Sequence, residues 1–555
     1  MQEVKELVEL AVKKAFGINC ESPLDRPEEK FGDYASNIAL QLSKKLSKNP
    51  REIAEKIAAE LEKNAVIKKV EIAGAGFINI TLTDEYLGKA VQEVTASSPN
   101  IYKGKVVVVE YSDPNPFKVL HAGHLYQTVF GDSISRLVGR AGGEVHDVNF
   151  GGDVGRHVAI TMWAILKELG GEKPEKLTDI PEDDRSNWLA KCYVDGNNAF
   201  EDDPQVKSEV LSLNKRVYKI HNDDDHDSPF AKIYWTTRQW SYDYFEQFYA
   251  SIGSGFEKYY PESITAPVGL KTVKEQLKKG IYEESDGAIV FRGEPYGLHT
   301  RVFINSEGLP TYEAKDIGLA IVKWEDYHFD QTIIITGNDI TEYMKVVLKS
   351  LEQFRPEIAE RTKHFTHGQV KLKGGVKMSS RKGNIVKAAD ILETAREASK
   401  KIIGSSNEDT VLAAVKFAFL KQRLGPDVVY DPEESVSLQG NSGPYLQYSH
   451  ARACSVLAKV KNVESTEHNF EPGERTLARK LSEYPEVVAT ATDDLMPHHI
   501  ANYLYELAQE FNRFYEKNRV IGDSREGIRA SLVRRYVDVL KDGLSLLNIS
   551  APEKM

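Results

Sequence analysis

The sequence predicts a multidomain α/β protein, in which a domain built on a parallel sheet lies between an α+β N-terminal unit and an all-α C-terminal helical bundle. Its 555 residues exceed the size at which one hydrophobic core stops growing, so several units are expected. A β-branched run at 106–109, followed by a helical pattern and a second strand, predicts the parallel sheet. Long amphipathic patterns after residue 427 predict the bundle.

The α+β unit is expected over residues 1–98. Helical patterns occupy the start of the chain, Asp33 to Lys45, and the segment after Asn49-Pro50, where a capping residue precedes a proline suited to the first turn. The segment KVEIAGAGFINITLT alternates apolar and polar residues around Gly74 to Gly76, which predicts a hairpin with one buried face. A linker is expected at 97–100.

The parallel-sheet domain is expected over residues 99–426. The run VVVVEY ends in the turn-rich SDPNP, a helix follows, and the strand EVHDVNF begins directly after Gly142-Gly143. This order is typical of a Rossmann-type sheet, which is expected to resume with the strand QTIIITGND at Gln331. Ligands of such sheets bind at the carboxyl ends of the strands, so residues 115–124 and 151–155 are expected to converge there.

Two further regions differ in composition from this domain. Acidic and polar runs between aromatic helical segments predict an insertion at about 170–295, and residues 427–555 predict the α-helical bundle. Several aromatic and basic side chains of the bundle could stack on unpaired bases, although such aromatics are more typical of a helix core. They are Tyr445, Tyr448, His450, Arg452, Phe511, Arg513, Phe514 and Tyr515.

Composition and charge narrow the classes of function. The net charge of -11 argues against indiscriminate binding of nucleic acid, because phosphate neutralisation requires clustered cations. No apolar stretch approaches the roughly 18 residues of a membrane span, and the amphipathic start contains acidic residues, unlike a targeting peptide. Because Cys20, Cys192 and Cys454 are far apart in sequence, we expect free thiols in a cytoplasmic protein.

The segment HAGH at 121–124 opens a helix after a parallel strand, where backbone amides and the helix dipole favour an anion. His121 and His124 lie three apart on one face, so both imidazoles can reach phosphate oxygens, and Gly123 allows an adenine ring close to the backbone. This arrangement suits stabilisation of a transferring phosphate. From this segment alone, two surface histidines at a helix start are an equal alternative.

A second segment, KGGVKMSSRKGN at 373–384, places basic residues between glycines. Such a loop suits a leaving pyrophosphate, whereas alone it could be a solvated basic loop. We expect it and HAGH to lie next to strands of one sheet, which favours a shared function. The two segments match the HIGH and KMSKS motifs of the class I aminoacyl-tRNA synthetases, which the chain resembles.

Within that class the chain resembles the arginyl-tRNA synthetases over nearly its whole length. The matching segments are, in order, GDYASNIALQL, AGAGFINI, VEYSDPNPFKVLHAGHL, NFGGDVGRH, LPTYEAKD, MSSRKGN and YLQYSHARACSVL. The resemblance implies a ligase that activates L-arginine with ATP and transfers it to the terminal adenosine of tRNA(Arg). It also implies that the N-terminal unit touches the tRNA elbow and that the bundle binds the anticodon. We expect Mg²⁺ carried with ATP, no tightly bound metal, no membrane and a monomer.

Arginine recognition has a chemistry that can be checked in the sequence. A guanidinium is bound by carboxylates in its plane and by a phenol beside it, and Glu110, Tyr312 and Asp316 supply these groups. The resemblance implies that they line the guanidinium pocket, while Asn115 and His121 hold the α-amino and α-carboxylate groups. Without the neighbouring motifs, Tyr312 and Asp316 would be an ordinary exposed helix face.

The resemblance further implies catalysis by positioning and by charge stabilisation at the phosphates, without a protein nucleophile. The catalytic candidates are His121, His124, Lys118, Lys377 and Lys382. The ATP-binding candidates are Ala122, Gly123, Gly152, Asp153, Gly155, Met378, Ser379 and Ser380.

Some positions depart from the family pattern. Ser380 stands where the general motif has its second lysine, and Lys118 stands just before HAGH, where some members carry a lysine that replaces it. Val154 and His157 replace the more usual Trp and Gln, and Ile340 replaces a polar residue.

Other functions remain as alternatives. A lysine enzyme would also use Glu110 and Asp316, whereas the cysteine enzyme has a zinc site built from clustered cysteines that this chain lacks. A non-catalytic tRNA-binding paralogue should have lost HAGH or the basic loop, and a small nucleotidylyltransferase has no use for the outer domains. The His221 to Asp227 cluster contains metal-ligand side chains, but such acidic runs are more typical of a solvated loop.

Overall fold

The computed structural model describes residues 2–96, 98–373, 386–460 and 468–555. The predicted site residues at the centre of the basic loop lie outside the described residues. They are Lys377, Met378, Ser379, Ser380 and Lys382.

The N-terminal unit packs helices against a small antiparallel sheet. Its elements are α1 (Gln2–Phe16), β1 (Tyr34–Ser36), α2 (Ile38–Leu46), α3 (Pro50–Leu61), β2 (Ile67–Ala73), β3 (Phe77–Leu82) and α4 (Asp84–Gln92). The predicted hairpin is confirmed, since β2 and β3 pair antiparallel in the order β1-β3-β2. The predicted start of a helix at Asp33 is wrong: its carboxylate accepts the Leu82 amide at 2.7 Å, and the next residues pair with β3 as a strand.

The central sheet is parallel throughout, as predicted. Its strands are β4 (Val106–Glu110), β5 (Glu144–Gly151), β6 (Lys258–Pro261), β10 (Gln331–Gly337) and β11 (Thr362–His367), in the spatial order β11-β10-β4-β5-β6. The β-branched run of β4 is buried because both faces of the sheet are covered. The carboxyl ends of these strands therefore share one edge.

Helices connect the strands and cover the sheet. They are α5 (Ala122–Arg140), α6 (Arg156–Leu169), α7 (Arg185–Asp202), α8 (Pro204–Asn222), α9 (Pro229–Ser251), α10 (Glu262–Leu277), α11 (Tyr312–Tyr327), α12 (Thr341–Glu352) and α13 (Pro356–Ala359). A separate antiparallel sheet consists of β7 (Glu283–Ser285), β8 (Ala288–Phe291) and β9 (Arg301–Ile304).

The insertion is smaller than the predicted 170–295. Helices α7, α8 and α9 share a separate apolar core with α6, which fits an inserted helical unit. Strand β6, however, pairs with β5 in the central sheet, so residues 258–261 are part of the domain that the insertion was expected to interrupt. The four residues of β6 end in proline, as edge strands tolerate, and such a short run gives little sequence pattern.

The C-terminal region is predominantly helical. Its elements are β12 (Val370–Leu372), α14 (Ala388–Ile402), α15 (Glu408–Leu420), β13 (Val428–Tyr430), α16 (Pro432–Ser435), α17 (Gly443–Leu457), α18 (Pro472–Ser482), α19 (Tyr484–Asp494), α20 (His498–Lys517) and α21 (Glu526–Leu546). The bundle is not purely α-helical from residue 427, because β13 pairs in parallel with β12. None of the described helices is both long enough and apolar enough to cross a membrane.

Candidate active site

The HAGH segment forms the N-terminus of α5 at the carboxyl edge of the sheet. His121 is the capping residue: its Nδ1 accepts hydrogen bonds from the backbone amides of Gly123 at 3.1 Å and His124 at 3.4 Å. His124 Nδ1 in turn accepts the His121 amide at 3.1 Å. Both Nδ1 atoms are thus acceptors, so in each neutral ring the proton is on Nε2, which is left to donate to a ligand.

The two imidazoles form a stacked, uncharged pair. Their ring centroids are 3.7 Å apart with an interplanar angle of 24°. Burial, with the nearby His367 and Lys118, lowers the pKa of His121 to about 4. Burial and the neighbouring His121 hold the pKa of His124 well below its usual value. At neutral pH the pair therefore offers two N–H donors without positive charge.

The chain just after the basic loop lies against HAGH. The Ala122 amide donates to the Val386 carbonyl at 2.8 Å, and the Ala388 amide donates to the Leu120 carbonyl at 2.9 Å. Both motifs were expected to lie next to strands of one sheet. This is correct only for HAGH, because the strand before the basic loop, β12, pairs with β13 instead of the central sheet. The described chain that follows the basic loop is nevertheless joined to HAGH through these two backbone hydrogen bonds.

His367 is a neighbour of this site that the sequence analysis missed. It ends β11 at the same edge of the sheet and is 5% exposed. Its ring meets Tyr126 edge to face, with centroids 5.1 Å apart, and burial lowers its pKa. The sequence analysis predicted no strand at 362–367, so it had no sheet edge on which to place this histidine.

The loop after β5 holds Asn115 and closes one side of the site. The Gly152 amide donates to Asn115 Oδ1 at 2.7 Å, and a Cβ at Gly152 would lie 2.7 Å from that oxygen. The side-chain amide nitrogen of Asn115 donates no hydrogen bond to any of the described residues. Gly155 caps α6 with φ of +106°, a conformation that other residues rarely adopt.

Asp153 does not fit the ATP-binding role expected for it. Its carboxylate is fully buried and accepts hydrogen bonds from the Ser263 amide at 2.8 Å, the Ser263 hydroxyl at 2.7 Å and Arg238 Nε at 3.0 Å. These bonds join the loop after β5 to α9 and to the start of α10. Asp153 thus holds the loop after β5 in place against α9 and α10 beside the site.

The predicted arginine residues of α11 differ in exposure. Tyr312 begins the helix and is 60% exposed, whereas Asp316 is half-buried and accepts a hydrogen bond from the Tyr343 hydroxyl. Burial, partly offset by Tyr343 and reinforced by Glu110 and other carboxylates, raises the pKa of Asp316 to about 8. One carboxyl of the predicted pocket is therefore poised to lose its proton near neutral pH.

Glu110 does not fit a direct guanidinium contact. It ends β4, is 3% exposed, and forms a buried ion pair with Lys323 of α11. Lys323 also lies 3.4 Å from the Thr332 hydroxyl on β10. Because a lysine already occupies the carboxylate, Glu110 belongs to the wall behind Asp316, and both line the same small cavity.

Glu262 is a carboxylate that the sequence analysis missed. It begins α10, is 3% exposed, and pairs with Lys315 of α11 at 2.5 Å. Its charge reaches both Tyr312 and Asp316, whose pKa values it raises. No motif in the sequence singles it out, because its proximity depends on how α10 crosses α11.

That crossing is unusually close because glycines meet there. An added Cβ at Gly269 of α10 would overlap the Ala314 carbonyl oxygen, and one at Gly318 of α11 would overlap the Thr265 carbonyl oxygen. The two backbones are therefore in direct contact, which fixes Glu262 relative to Asp316.

Other candidates from the sequence lie outside this site. Phe511 and Phe514 are core residues, as the more typical interpretation held, whereas Tyr448 is 45% exposed. His221 bonds the Tyr234 hydroxyl at 2.8 Å, and His226 stacks on Trp235. Among the described residues, no group of three or more His, Cys, Asp or Glu side chains is arranged to hold a metal ion.

The parallel sheet, its edge site and the histidine-capped helix define the catalytic domain of a class I aminoacyl-tRNA synthetase. Residues 82–429 match the family model described as "tRNA synthetases class I (R), catalytic domain". Residues 2–82 match "Arginyl tRNA synthetase N terminal domain", and residues 446–555 match "DALR anticodon binding domain". The chain belongs to the arginyl-tRNA synthetase family.

Individual relatives agree with this membership. An arginine–tRNA ligase of Fusobacterium nucleatum is 30% identical over 95% of this chain and 94% of its own. One of Clostridium perfringens is 30% identical over 100% of this chain and 99% of its own. The structure of Thermus thermophilus arginyl-tRNA synthetase has the same fold, with a TM-score of 0.80 at 24% identity and complete coverage of both chains.

Proposed function

We propose that this protein activates L-arginine with ATP and transfers it to tRNA(Arg). In the first step an arginine carboxylate oxygen attacks the α-phosphorus, the bond to the β-phosphate oxygen breaks, and pyrophosphate leaves. In the second step a hydroxyl of the terminal adenosine attacks the acyl carbon and AMP leaves. The observation that carries the proposal is the stacked pair of His121 and His124, whose Nε2 donors are at the strand edge where such ligands bind.

The histidine pair suits the first step because its neutral rings can donate hydrogen bonds to phosphate oxygens without transferring a proton to them. Neutral Nε2–H groups at a helix N-terminus can hold the α-phosphate as negative charge develops. Lys118 adds a positive charge nearby, as its effect on the pKa of His121 shows. We assign Ala122 and Gly123 to the nucleotide from the family resemblance. An added Cβ at Gly123 would lie 2.8 Å from the His121 ring, so a side chain there would also displace the histidine.

The remaining phosphate contacts are proposed from the sequence alone. Lys377, Met378, Ser379, Ser380 and Lys382 lie between residues 373 and 386, whose flanking backbone adjoins HAGH at Val386. We propose that this segment binds the pyrophosphate and that Mg²⁺ arrives with ATP. Gly152 and Gly155 are proposed to leave space beside the nucleotide.

Arginine fits the acidic end of the site. We propose that Asp316 and Tyr312 bind the guanidinium, and that Glu262, paired with Lys315, and Glu110, paired with Lys323, supply negative charge behind them. Asn115 and His121 are proposed to hold the α-amino and α-carboxylate groups, because an amide oxygen can accept from an ammonium and the free Nε2–H of His121 can donate to a carboxylate. A bidentate guanidinium contact is stronger than an ammonium contact, which favours arginine over lysine.

The outer units are proposed to bind tRNA, with residues 1–98 at the elbow and 427–555 at the anticodon. Residues 99–426 would form the catalytic domain, with the insertion within 170–295. We further propose a cytoplasmic monomer. One elongated tRNA molecule would then contact the N-terminal unit, the catalytic domain and the bundle of the same chain.

The test is charging of total tRNA by the purified protein with each of the twenty amino acids in parallel. Charging by arginine alone supports the proposal, and charging by lysine would discard the assigned pocket. No charging would make a tRNA-binding paralogue the leading alternative.

In addition, ATP–pyrophosphate exchange with arginine should require added tRNA, and full exchange without tRNA would contradict that expectation.

A further inference from the structure

The ammonium group of Lys118 has no anionic partner in the described part of the chain. It donates no hydrogen bond to any described side chain or carbonyl, although it is close enough to His121, His124 and Glu262 to affect their ionisation. The carboxylate of Glu262 is already held by Lys315 at 2.5 Å. A cation beside the active site is thus left without neutralisation.

The group that Lys118 does contact is an aromatic ring of the insertion. Its Nζ lies 4.8 Å from the centroid of the Tyr193 ring on α7, within the range of a cation–π interaction. Tyr193 is half-buried and also influences the ionisation of Tyr312 at the rim of the site. A helix of the insertion therefore reaches the catalytic region.

The place of Tyr193 is fixed by the packing of α7 on α6. Leu189, Cys192 and Gly196 form the buried stripe of α7. An added Cβ at Gly196 would overlap the Ile160 carbonyl oxygen, so the two helices are in backbone contact there. Tyr193 lies at the margin of this stripe, one turn before the contact, and its ring is thereby held over Lys118.

Contact with an aromatic ring affects the lysine differently from contact with a carboxylate. A carboxylate would neutralise the ammonium and compete with phosphate, whereas a ring face attracts the cation and leaves its charge and its N–H donors available. A lysine side chain otherwise loses much of its rotamer freedom when it is fixed. The ring reduces this loss before the ligand arrives.

We propose that Tyr193 is a positioning residue for the ATP-dependent step, whose ring holds the Lys118 ammonium in place for the phosphates of ATP. The inference deepens the proposed function and rests on it, because it presupposes that Lys118 contacts the phosphates. It gives helix α7 of the insertion a role in the ATP-dependent step at the carboxyl edge of the central sheet.

The same helix offers a matched control. Phe200 lies two turns after Tyr193, and its ring carries the guanidinium of Arg156 at 5.8 Å. Phe200 thus has the same kind of contact on the same helix, but with a cation other than Lys118. Loss of the Phe200 ring should perturb α7 similarly and leave the contact between Lys118 and the Tyr193 ring intact.

The experiment is a double-mutant cycle in the full chain with arginine and tRNA. Tyr193→Leu, Lys118→Ala, the double variant, Tyr193→Phe and Phe200→Leu are compared by kcat/KM for ATP, with KM for arginine and thermal unfolding measured in parallel. Tyr193→Leu should lower kcat/KM for ATP about threefold to tenfold, the range of a cation–π contact. Tyr193→Phe should restore it, and Phe200→Leu should leave it unchanged.

The cycle separates the outcomes. In the Lys118→Ala background Tyr193→Leu should have no further effect, because the two residues act as one unit. Additive losses, an equal loss in Phe200→Leu, or a loss confined to the KM for arginine would each overturn the inference. Absence of charging by the unmodified chain would instead refute the proposed function. If Tyr193→Leu unfolds, the comparison of Tyr193→Phe with Tyr193→His in both Lys118 backgrounds decides.

Discussion

At the scale of single residues, each HAGH histidine has two tasks. Its Nδ1 completes the hydrogen bonding of the first turn of α5, and its Nε2 remains for the ligand. The cap and the proposed phosphate site therefore use opposite sides of one ring. Substitutions at these positions change stability and activity together unless the replacement keeps both groups.

Truncation of His124 should separate these tasks. His124→Ala should lower kcat for charging about 10²–10³-fold, the cost of losing one preorganised donor. His124→Asn keeps an acceptor for the His121 amide and a donor on the same side chain, so it should retain more activity and a higher unfolding temperature than His124→Ala. The measurements are charging rates and thermal melts. A His124→Ala enzyme within threefold of the unmodified protein would show that the ring does not contact the phosphates.

Asp316 should make arginine binding depend on pH. Because its pKa is raised to about 8, the carboxyl carries its proton below that pH and must lose it to pair with a guanidinium. Ionising it costs about 1.4 kcal/mol per pH unit below the pKa. The KM for arginine should therefore fall as pH rises from about 6 to about 8, by up to about tenfold per unit, and then level off.

Two controls accompany this pH dependence. The KM for ATP measured alongside should not follow the same curve, and Asp316→Asn should bind arginine weakly without the pH dependence. A KM for arginine that is constant from pH 6 to 8 in the unmodified protein would assign the guanidinium contact to another carboxylate.

Much of the site could be predicted at the residue level, because motifs such as HAGH carry their chemistry locally. The partners of the buried charges could not. Asp316, Lys315 and Lys323 all lie on α11, but which carboxylate each lysine meets depends on where β4 and α10 lie relative to that helix. Glu110 thus carries the right functional group, but a lysine from the neighbouring helix already pairs with it.

At the scale of elements, the contact between α10 and α11 sets the pocket. Gly318→Ala should force the two helices apart, with a loss of about 1–3 kcal/mol in the free energy of unfolding. The KM for arginine should rise because Glu262 and Asp316 separate. Gly139→Ala is the matched control: it lies in α5, its Cβ would have 4.0 Å to the nearest side chain, and a gain of about 0.5–1 kcal/mol is expected. Thermal melts and arginine kinetics give both results, and equal effects of the two changes would contradict the argument.

The same scale explains which elements could be predicted. Long periodic helices and the β-branched β4 and β10 follow from their patterns, and the sequence placed them correctly. Strands β1, β6 and β13 have three or four residues each, so their pairing depends on neighbours far away in the chain. Tyr34 illustrates this, since it lies in the first turn of the helix predicted from Asp33 and begins a strand against β3 in the fold.

At the scale of the whole molecule, buried ion pairs join the N-terminal unit to the bundle. Asp33, fully buried, accepts two hydrogen bonds from Arg475 of α18, at 2.7 and 3.2 Å. Arg26 likewise donates to Glu486 of α19 at 2.9 Å. Because isolated exposed pairs stabilise little, it is the burial and the paired geometry that make these contacts specific.

Loss of Asp33 should loosen this junction. Asp33→Ala leaves the half-buried Arg475 paired only with Asp84 among the described carboxylates and leaves the Leu82 amide without its acceptor, so the free energy of unfolding should fall by about 2–4 kcal/mol. The KM for tRNA should rise more than the KM for ATP, because the two proposed tRNA-binding units lose their fixed spacing. Lys68→Ala is the control, since Lys68 is half exposed and lies 3.5 Å from Asp84. Limited proteolysis and steady-state charging would measure both, and an unchanged KM for tRNA would show that the spacing is not used.

The contact of Gly269 with Gly318 also constrains how the sequence can drift. Each glycine's missing side chain is the space occupied by the other helix, so neither position can accept a larger residue while the partner helix stays in place. No residue is smaller than glycine, so no first substitution at one site can make room for a second at the other. Single-step mutation is therefore blocked at both sites together, while the exposed faces of the same helices remain open to change. The spacing of Glu262 and Asp316, and with it the amino acid preference proposed for this pocket, is therefore protected from neutral substitution by two glycines that supply no side chain to it.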